Sequence, residues 1–103
     1  MKIYNVKIKT MDNDRRVIEN GWVEITDGII SAVESGSPEA VTAEDIDGNG
    51  RTVYPGFIDI HTHGAVGADF CDADLSGLKR MAAYLKSCGI TTFCPTSMTL
   101  PPE

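Results

Sequence analysis

At 103 residues, the chain has room for one small domain or for parts of two, and its 42% hydrophobic residues predict a packed core. The formal net charge of −6 argues against a nucleic-acid partner and against binding to an anionic membrane. The three cysteines have no CxxC spacing, and no segment resembles a signal peptide or reaches transmembrane length. We therefore expect a cytoplasmic protein.

Residues 1–54 are typical of short strands separated by turns. The alternation of Tyr4, Val6 and Ile8 with polar residues predicts a half-buried strand, with a turn at residues 12–14. Asn-Gly at residues 20–21 and Asp-Gly at residues 27–28 each predict a two-residue hairpin turn, because both residues of each pair tolerate a positive φ. We predict that residues 1–54 are the N-terminal part of a small β-sandwich domain.

Both histidines, His61 and His63, lie two residues apart near the end of the apolar run 57–63, which is predicted to be a buried strand. Side chains at i and i+2 share one face of a strand, at a separation of roughly 6.6 Å. Two such imidazoles can bind one metal ion, because a zinc–nitrogen distance is about 2.0–2.1 Å and the rings supply the remaining reach. Purely structural histidines are the alternative. The Pro-Gly turn before the strand and the glycine-containing loop after it favour metal ligands.

The residues that follow predict a helix and a second strand. Asp74 or Ser76 is suited to cap the helix, and Gly89 lies just past its end. Apolar residues recur at helical spacing and predict a core-facing stripe made of Leu75, Leu78, Met81, Ala82 and Leu85. The β-branched and aromatic residues 90–94 then predict a strand. A strand, helix and strand of this length form a βαβ unit with two parallel strands.

Other side chains near the histidines have two interpretations each. Asp59 could support a metal ligand or could be a structural carboxylate. Asp69 and Asp72 could orient a loop or contact a substrate, although capping and turn roles are favoured. Cys71 and Cys94 are predicted to be small buried hydrophobic residues. No catalytic residue is predicted within residues 1–103, and no substrate-binding residue is assigned.

Three segments carry a family resemblance: Pro-Gly-Phe-Ile-Asp-Ile-His-Thr-His-Gly at residues 55–64, Gly-Ala-Val-Gly-Ala-Asp-Phe-Cys-Asp-Ala at 64–73, and Gly-Ile-Thr-Thr-Phe-Cys-Pro-Thr at 89–96 with Thr99. Together they resemble the amidohydrolase superfamily and, within it, the N-acetylglucosamine-6-phosphate deacetylases. One departure is Ala65-Val66, where many relatives have a denser run of glycines.

The resemblance implies a fold of the α/β class with a β-rich N-terminal part. Residues 1–54 would belong to a small β-sandwich. Residues 55–103 would form strand 1, helix 1 and strand 2 of a (β/α)8 barrel, which is incomplete in this chain. We therefore expect the N-terminal portion of a larger enzyme.

By the same resemblance, His61 and His63 bind a divalent metal, zinc or iron, with room for one or two ions. The activity implied is removal of the acetyl group from N-acetylglucosamine 6-phosphate, so the expected partner is a small amino-sugar phosphate, and a homodimer or higher oligomer is expected. A Glu, further His and a general-base Asp would come from later strands, so residues 1–103 alone are expected to be inactive.

Two alternatives stay open at this point. The first histidine motif is shared with dihydroorotases, allantoinases and N-acyl-amino-acid deacylases, so another amide hydrolase is one alternative. A non-catalytic truncated module is the alternative from a different class.

Overall fold

In the computed structural model, which describes residues 1–99 and 101, the chain divides into two compact units, Met1–Pro55 and Gly56–Glu103. Most of the regular secondary structure in the described residues is β-strand, with one α-helix. The assignment of the units to a sandwich domain and to the start of a barrel stays a prediction. No helix in the described part of the chain is long and apolar enough to cross a membrane.

The first unit is one five-stranded mixed sheet. Strand β1 pairs antiparallel with β2 and parallel with the short strands β4 and β5, while β3 pairs antiparallel with β2. The core of the unit is built on Val6, Ile8 and Val23, which are buried and packed together. The strand bounds are β1 (Lys2–Lys9), β2 (Val17–Thr26), β3 (Ile29–Ser35), β4 (Ile46–Asp47) and β5 (Thr52–Val53).

The bulge at Asn5 changes which face of β1 is apolar. Asn5 has φ 54°, and the register with β2 shifts between Ile3 and Val6. Because the extra residue moves the alternation by one position, Ile3 packs against the core together with Val6 and Ile8. The predicted alternation is therefore wrong at Tyr4, since Ile3 takes its place beside Val6 and Ile8 in the core.

The hairpin predicted at Asn-Gly 20–21 is wrong, because β2 runs through this dipeptide without interruption. Gly21 is buried within the strand, and a Cβ there would lie 2.4 Å from the carbonyl oxygen of Glu34. The glycine is thus required for a close approach of strands rather than for a turn. The turn predicted at Asp27-Gly28 is confirmed, with φ of 52° and 78°. The turn predicted at residues 12–14 is also confirmed, where the Arg15 N–H donates to the Asp12 carbonyl.

The second unit contains the predicted strand, helix and strand. Its elements are β6 (Phe57–Thr62), β7 (Gly64–Ala65), β8 (Ala68–Asp69), a 3₁₀ turn (Phe70–Asp72), α1 (Leu75–Ser87) and β9 (Ile90–Pro95). Strands β6 and β9 are parallel, with α1 between them in sequence. The carboxyl ends of both strands therefore lie at the same edge of the pair.

Helix α1 begins and ends as the sequence predicts. The Asp74 carboxylate accepts hydrogen bonds from the backbone N–H groups of Ser76 and Gly77, and Gly89 follows the helix with φ 82°. The buried positions are Gly77, Met81 and Leu85. Leu75 is 64% exposed and Leu78 is 37% exposed, so their places in the predicted core stripe are wrong.

The prediction that β6 is buried is also wrong for the described residues. Ile58 is 65% exposed and Ile60 is 78% exposed. In the described part of the chain, β6 pairs with β9 and with no other strand. A parallel strand is ordinarily covered on both faces, and here the apolar residues of β6 are left largely open.

Candidate metal site

The two histidine side chains converge at the carboxyl end of β6. His61 lies near the end of the strand and His63 immediately follows it. Their Nε2 atoms are 3.1 Å apart, and the rings meet edge to face with centroids 4.9 Å apart. The i, i+2 spacing thus brings both imidazoles to one point, although their role as metal ligands stays a prediction.

The orientation of His63 is set by a backbone carbonyl. Its Nδ1 lies 3.0 Å from the carbonyl oxygen of Thr96, the residue that follows β9. Since a carbonyl oxygen can only accept a hydrogen bond, Nδ1 must carry the proton. The Nε2 atom of neutral His63 then holds a lone pair that is directed toward His61. Metal-binding histidines commonly have this arrangement, with the second ring nitrogen bonded to a carbonyl or a carboxylate.

The distance between the two Nε2 atoms fits a shared cation. Two nitrogens that each lie about 2.0–2.1 Å from a tetrahedral zinc are separated by about 3.3 Å. The observed 3.1 Å is close to that value. Two lone pairs at this distance repel each other, so the space between them suits either a proton or a metal ion. Within residues 1–99 and 101, no group of three or more His, Cys, Asp or Glu side chains could hold a metal ion. The chain therefore offers two ligands, not a complete catalytic set.

Asp59 supports the strand beside the histidines. Its Oδ1 atom accepts a hydrogen bond from the backbone N–H of His61 at 3.0 Å. The observed contact is therefore with the main chain of a candidate ligand. By this contact, the carboxylate helps to fix the position of the His61 backbone.

A tight hairpin follows His63 directly. Strands β7 and β8 pair antiparallel around Val66-Gly67, and both turn residues have positive φ, 49° and 72°. Such φ values are usual for a two-residue hairpin turn, but they are strained for a β-branched residue such as Val66. The hairpin brings Phe70 back beside His63, and the Phe70 N–H donates to the His63 carbonyl at 3.0 Å. The main chain of His63 is thus held by the loop that follows it.

Asp69 and Asp72 cap the 3₁₀ turn, so the predicted capping role is confirmed. The Asp69 carboxylate accepts from the Cys71 N–H at 2.7 Å, and the Asp72 carboxylate accepts from the Asp69 N–H at 2.9 Å. The pKa of Asp69 is lowered chiefly by the hydrogen bond from the Cys71 backbone N–H, and then by the Cys71 side chain.

The prediction of buried cysteines is wrong. Cys94 is exposed and Cys71 is only partly buried. The Cys71 sulfur instead accepts a hydrogen bond from the backbone N–H of Met98 at 3.2 Å. The contributions of Thr96, Cys71 and Met98 to this site were not predicted. One signal could have indicated the Thr96 contact: parallel strands end at a common edge, so the residues after β9 must lie near those after β6.

Curated relatives with similar sequences are deacetylases of amino-sugar phosphates. The chain is 41% identical over 87 residues to the N-acetylglucosamine-6-phosphate deacetylase of Bacillus subtilis (strain 168), covering 84% of this chain and 22% of that protein. It is 47% identical over 66 residues to the Mus musculus enzyme of the same name, covering 61% of this chain and 16% of that protein. It is also 33% identical over 92 residues to the N-acetylgalactosamine-6-phosphate deacetylase of Escherichia coli O157:H7, covering 84% and 23%.

A solved structure agrees with these relatives. The crystal structure of N-acetyl-D-glucosamine-6-phosphate deacetylase from Mycobacterium smegmatis matches with a TM-score of 0.76 and 29% identity, over 92% of this chain and 26% of that one. No family model matches the chain.

The sequence and structural relatives agree on one class of protein, the deacetylases that act on amino-sugar phosphates. These relatives support the chain as the N-terminal portion of the N-acetylglucosamine-6-phosphate deacetylase family. It spans about a fifth of the length of the Bacillus subtilis relative, 22%.

Proposed function

We propose that the chain is the N-terminal portion of a metal-dependent amide hydrolase. The reaction is removal of the acetyl group from N-acetylglucosamine 6-phosphate, which yields glucosamine 6-phosphate and acetate. The names of the relatives support the reaction. The convergence of the His61 and His63 Nε2 atoms, 3.1 Å apart, is the single structural observation that carries the metal dependence.

In this proposal, His61 and His63 present their Nε2 atoms to a divalent cation, zinc or iron, at a site for one or two ions. A cation held there would polarise the acetamide carbonyl and lower the pKa of a bound water molecule. The Thr96 carbonyl keeps the His63 Nδ1 proton in place, so that the Nε2 lone pair is directed into the site. Two histidines do not complete a catalytic zinc site, which usually has three protein ligands. The 103-residue chain alone is therefore proposed to be inactive.

The exposed strand β6 supports a barrel as the complete fold. In a (β/α)8 barrel every strand is buried, and the active site lies at the carboxyl ends of the strands. The histidines lie at that end of β6, while Ile58 and Ile60 are largely exposed. We propose that β6, α1 and β9 are the first βαβ unit of such a barrel, and that the first unit belongs to a small β-sandwich.

The remaining parts of the proposal concern partners and location. The partner is a small amino-sugar phosphate, and neither nucleic acid nor membrane is proposed. We propose a cytoplasmic enzyme that forms a homodimer or a higher oligomer. Strand β3 is an edge strand of the sheet in the first unit, and β6 and β9 form a two-stranded sheet. The backbone groups at such sheet edges can pair with a strand of another chain.

A chimera tests the proposed reaction. This chain replaces the matched segment of the Bacillus subtilis relative, and acetate release is measured with both the gluco and the galacto 6-phosphates. We expect turnover of the gluco substrate. Replacing both histidines, His61→Asn and His63→Asn, should lower the rate at least about 100-fold, because a metal supplies several kcal/mol of transition-state stabilisation.

The control for the chimera is Glu39→Gln, at an exposed loop position in the first unit. It should leave the rate unchanged. Full activity in the double histidine variant would contradict the metal role, and turnover of the galacto substrate alone would contradict the substrate. Acetate release by the isolated 103-residue chain, at a rate comparable to the chimera, would contradict its proposed inactivity.

A further inference from the structure

The short segment after β9, residues 96–98, is held at three points of the second unit. The Thr96 N–H donates to the Thr62 carbonyl at 2.8 Å. The Thr96 carbonyl accepts from His63 Nδ1 at 3.0 Å. Two residues later, the Met98 N–H donates to the Cys71 sulfur at 3.2 Å. The contact between Met98 and Cys71 therefore restrains the same short segment whose Thr96 carbonyl orients His63.

The Cys71 sulfur is attached to a well-braced part of the chain. Cys71 lies in the 3₁₀ turn, and its backbone N–H donates to the Asp69 carboxylate at 2.7 Å. Asp69 and Asp72 complete a capping box around this turn. A sulfur fixed in this way can act as an anchor for residues 96–98, the segment that follows β9.

The orientation of the Thr96 carbonyl depends on that anchor for a geometric reason. The N–H and the carbonyl of one residue belong to different peptide planes, which rotate independently about φ and ψ. The bond to Thr62 fixes the plane that contains the Thr96 N–H. The plane that contains the Thr96 carbonyl can still turn about ψ, and the hydrogen bond at Met98 limits that rotation from the other side.

We infer that Cys71 is a positioning residue for His63. By holding the Met98 N–H, its sulfur keeps the Thr96 carbonyl on His63 Nδ1. The carbonyl selects the Nδ1–H tautomer and leaves Nε2 available as a ligand. The inference rests on the proposed function for its consequence, which is metal affinity. The tautomer itself is a property of the metal-free chain, so the two can fail separately.

Two variants break the same hydrogen bond from opposite sides. Cys71→Ala removes the acceptor, and Met98→Pro removes the donor while the sulfur stays in place. Their controls are Cys88→Ala, at an exposed cysteine outside this contact, and Met98→Ala, which removes the side chain but keeps the N–H. Cys71→Ser should restore the contact, because a hydroxyl oxygen also accepts a hydrogen bond.

The first measurement is the nitrogen-15 spectrum of the His63 ring in the full 103-residue chain. It is recorded without metal at about pH 8.5, well above the ordinary histidine pKa of about 6.5. We expect a single Nδ1–H tautomer in the native chain, in both controls and in Cys71→Ser. Both Cys71→Ala and Met98→Pro should shift the ring nitrogens toward the values of a tautomer mixture.

The second measurement is zinc affinity by titration calorimetry. We expect Cys71→Ala and Met98→Pro to bind zinc about 10-fold more weakly than the native chain, at the low end of the losses typical of outer-shell partners. A weaker affinity in Cys71→Ala alone would mean that the sulfur is a ligand, and would overturn the positioning role. If Cys71→Ala does not fold, Met98→Pro decides the question.

An unchanged His63 tautomer in Met98→Pro would overturn the inference. So would an Nε2–H tautomer in the native chain. If the tautomer shifts as expected but no form of the chain binds zinc, the positioning role is supported and the metal role proposed above fails.

Discussion

The two units of the chain differ in how their apolar residues are used. In the first unit, long antiparallel strands close a core around Val6, Ile8 and Val23. In the second, the apolar burial lies under the helix, at Met81 and Leu85, while the Ile58 and Ile60 side chains of β6 are largely exposed. The candidate site therefore lies on a strand whose apolar side chains are little buried and contribute little to its stability. Its geometry depends on hydrogen bonds to the residues that follow β6 and β9.

The largest effect is expected on the free energy of unfolding, in a comparison of two isoleucine-to-alanine variants, one in each unit. Ile8 is 4% exposed and Ile60 is 78% exposed. We expect Ile8→Ala to lower the free energy of unfolding by about 2–5 kcal/mol, because it leaves a cavity in the core. Ile60→Ala should change it by less than about 0.5 kcal/mol, as is usual for exposed sites.

Urea unfolding measures both isoleucine variants. The fluorescence of Trp22 follows the first unit, and amide hydrogen exchange in β6 and β9 follows the second. A loss of 2 kcal/mol or more in Ile60→Ala would show that this side chain is covered in solution, and the contrast between the units would not hold.

A smaller effect is expected in the hairpin after His63. Val66 has φ 49° and the adjacent residue is Gly67, so Asn at position 66 would give the Asn-Gly pair that such a turn favours. Val66→Asn should stabilise the hairpin by about 1 kcal/mol, the lower end of the cost of a strained backbone. Slower amide exchange at the Phe70 N–H would confirm it. Val66→Ile retains the branch and serves as the control, with no gain expected.

The smallest effect concerns pH and the loop that joins β3 to β4. The pKa of Asp45 is lowered chiefly by the Thr42 backbone N–H, and next by that of Lys2. Because the folded-state pKa lies below the unfolded value of about 3.9, the carboxylate contributes stability above that pH. The contribution is lost as the pH falls through the folded pKa. Asp45→Asn should reduce the acid sensitivity of the first unit, measured by Trp22 fluorescence between about pH 5 and 2. An unaltered acid transition would exclude this role.

Much of the local structure could be predicted from the residues. The Asp27-Gly28 turn, the Asp74 cap and the parallel strand pair follow from short-range chemistry, and all are found. The sequence could not exclude a hairpin turn at Asn20-Gly21, since the same dipeptide suits both a turn and a close approach between two paired strands. Only the position of the Glu34 carbonyl on the neighbouring strand decides against the turn.

The candidate site was partly predictable for the same reason. The convergence of His61 and His63 follows from a spacing of two within a strand. The partner of His63 does not, because it is a main-chain carbonyl that any residue at position 96 could supply. The contact between Cys71 and Met98 could not be predicted either, since a sequence does not distinguish a buried cysteine from one whose sulfur accepts a hydrogen bond.

The central claim is that His61 and His63 share one metal ion. The most direct measurement is a zinc titration of the 103-residue chain, followed by the nitrogen-15 signals of both imidazole rings. The account predicts that both Nε2 signals move together, with one dissociation constant, and that His61→Asn abolishes the response of His63. Two independent responses, or none at millimolar zinc, would contradict it.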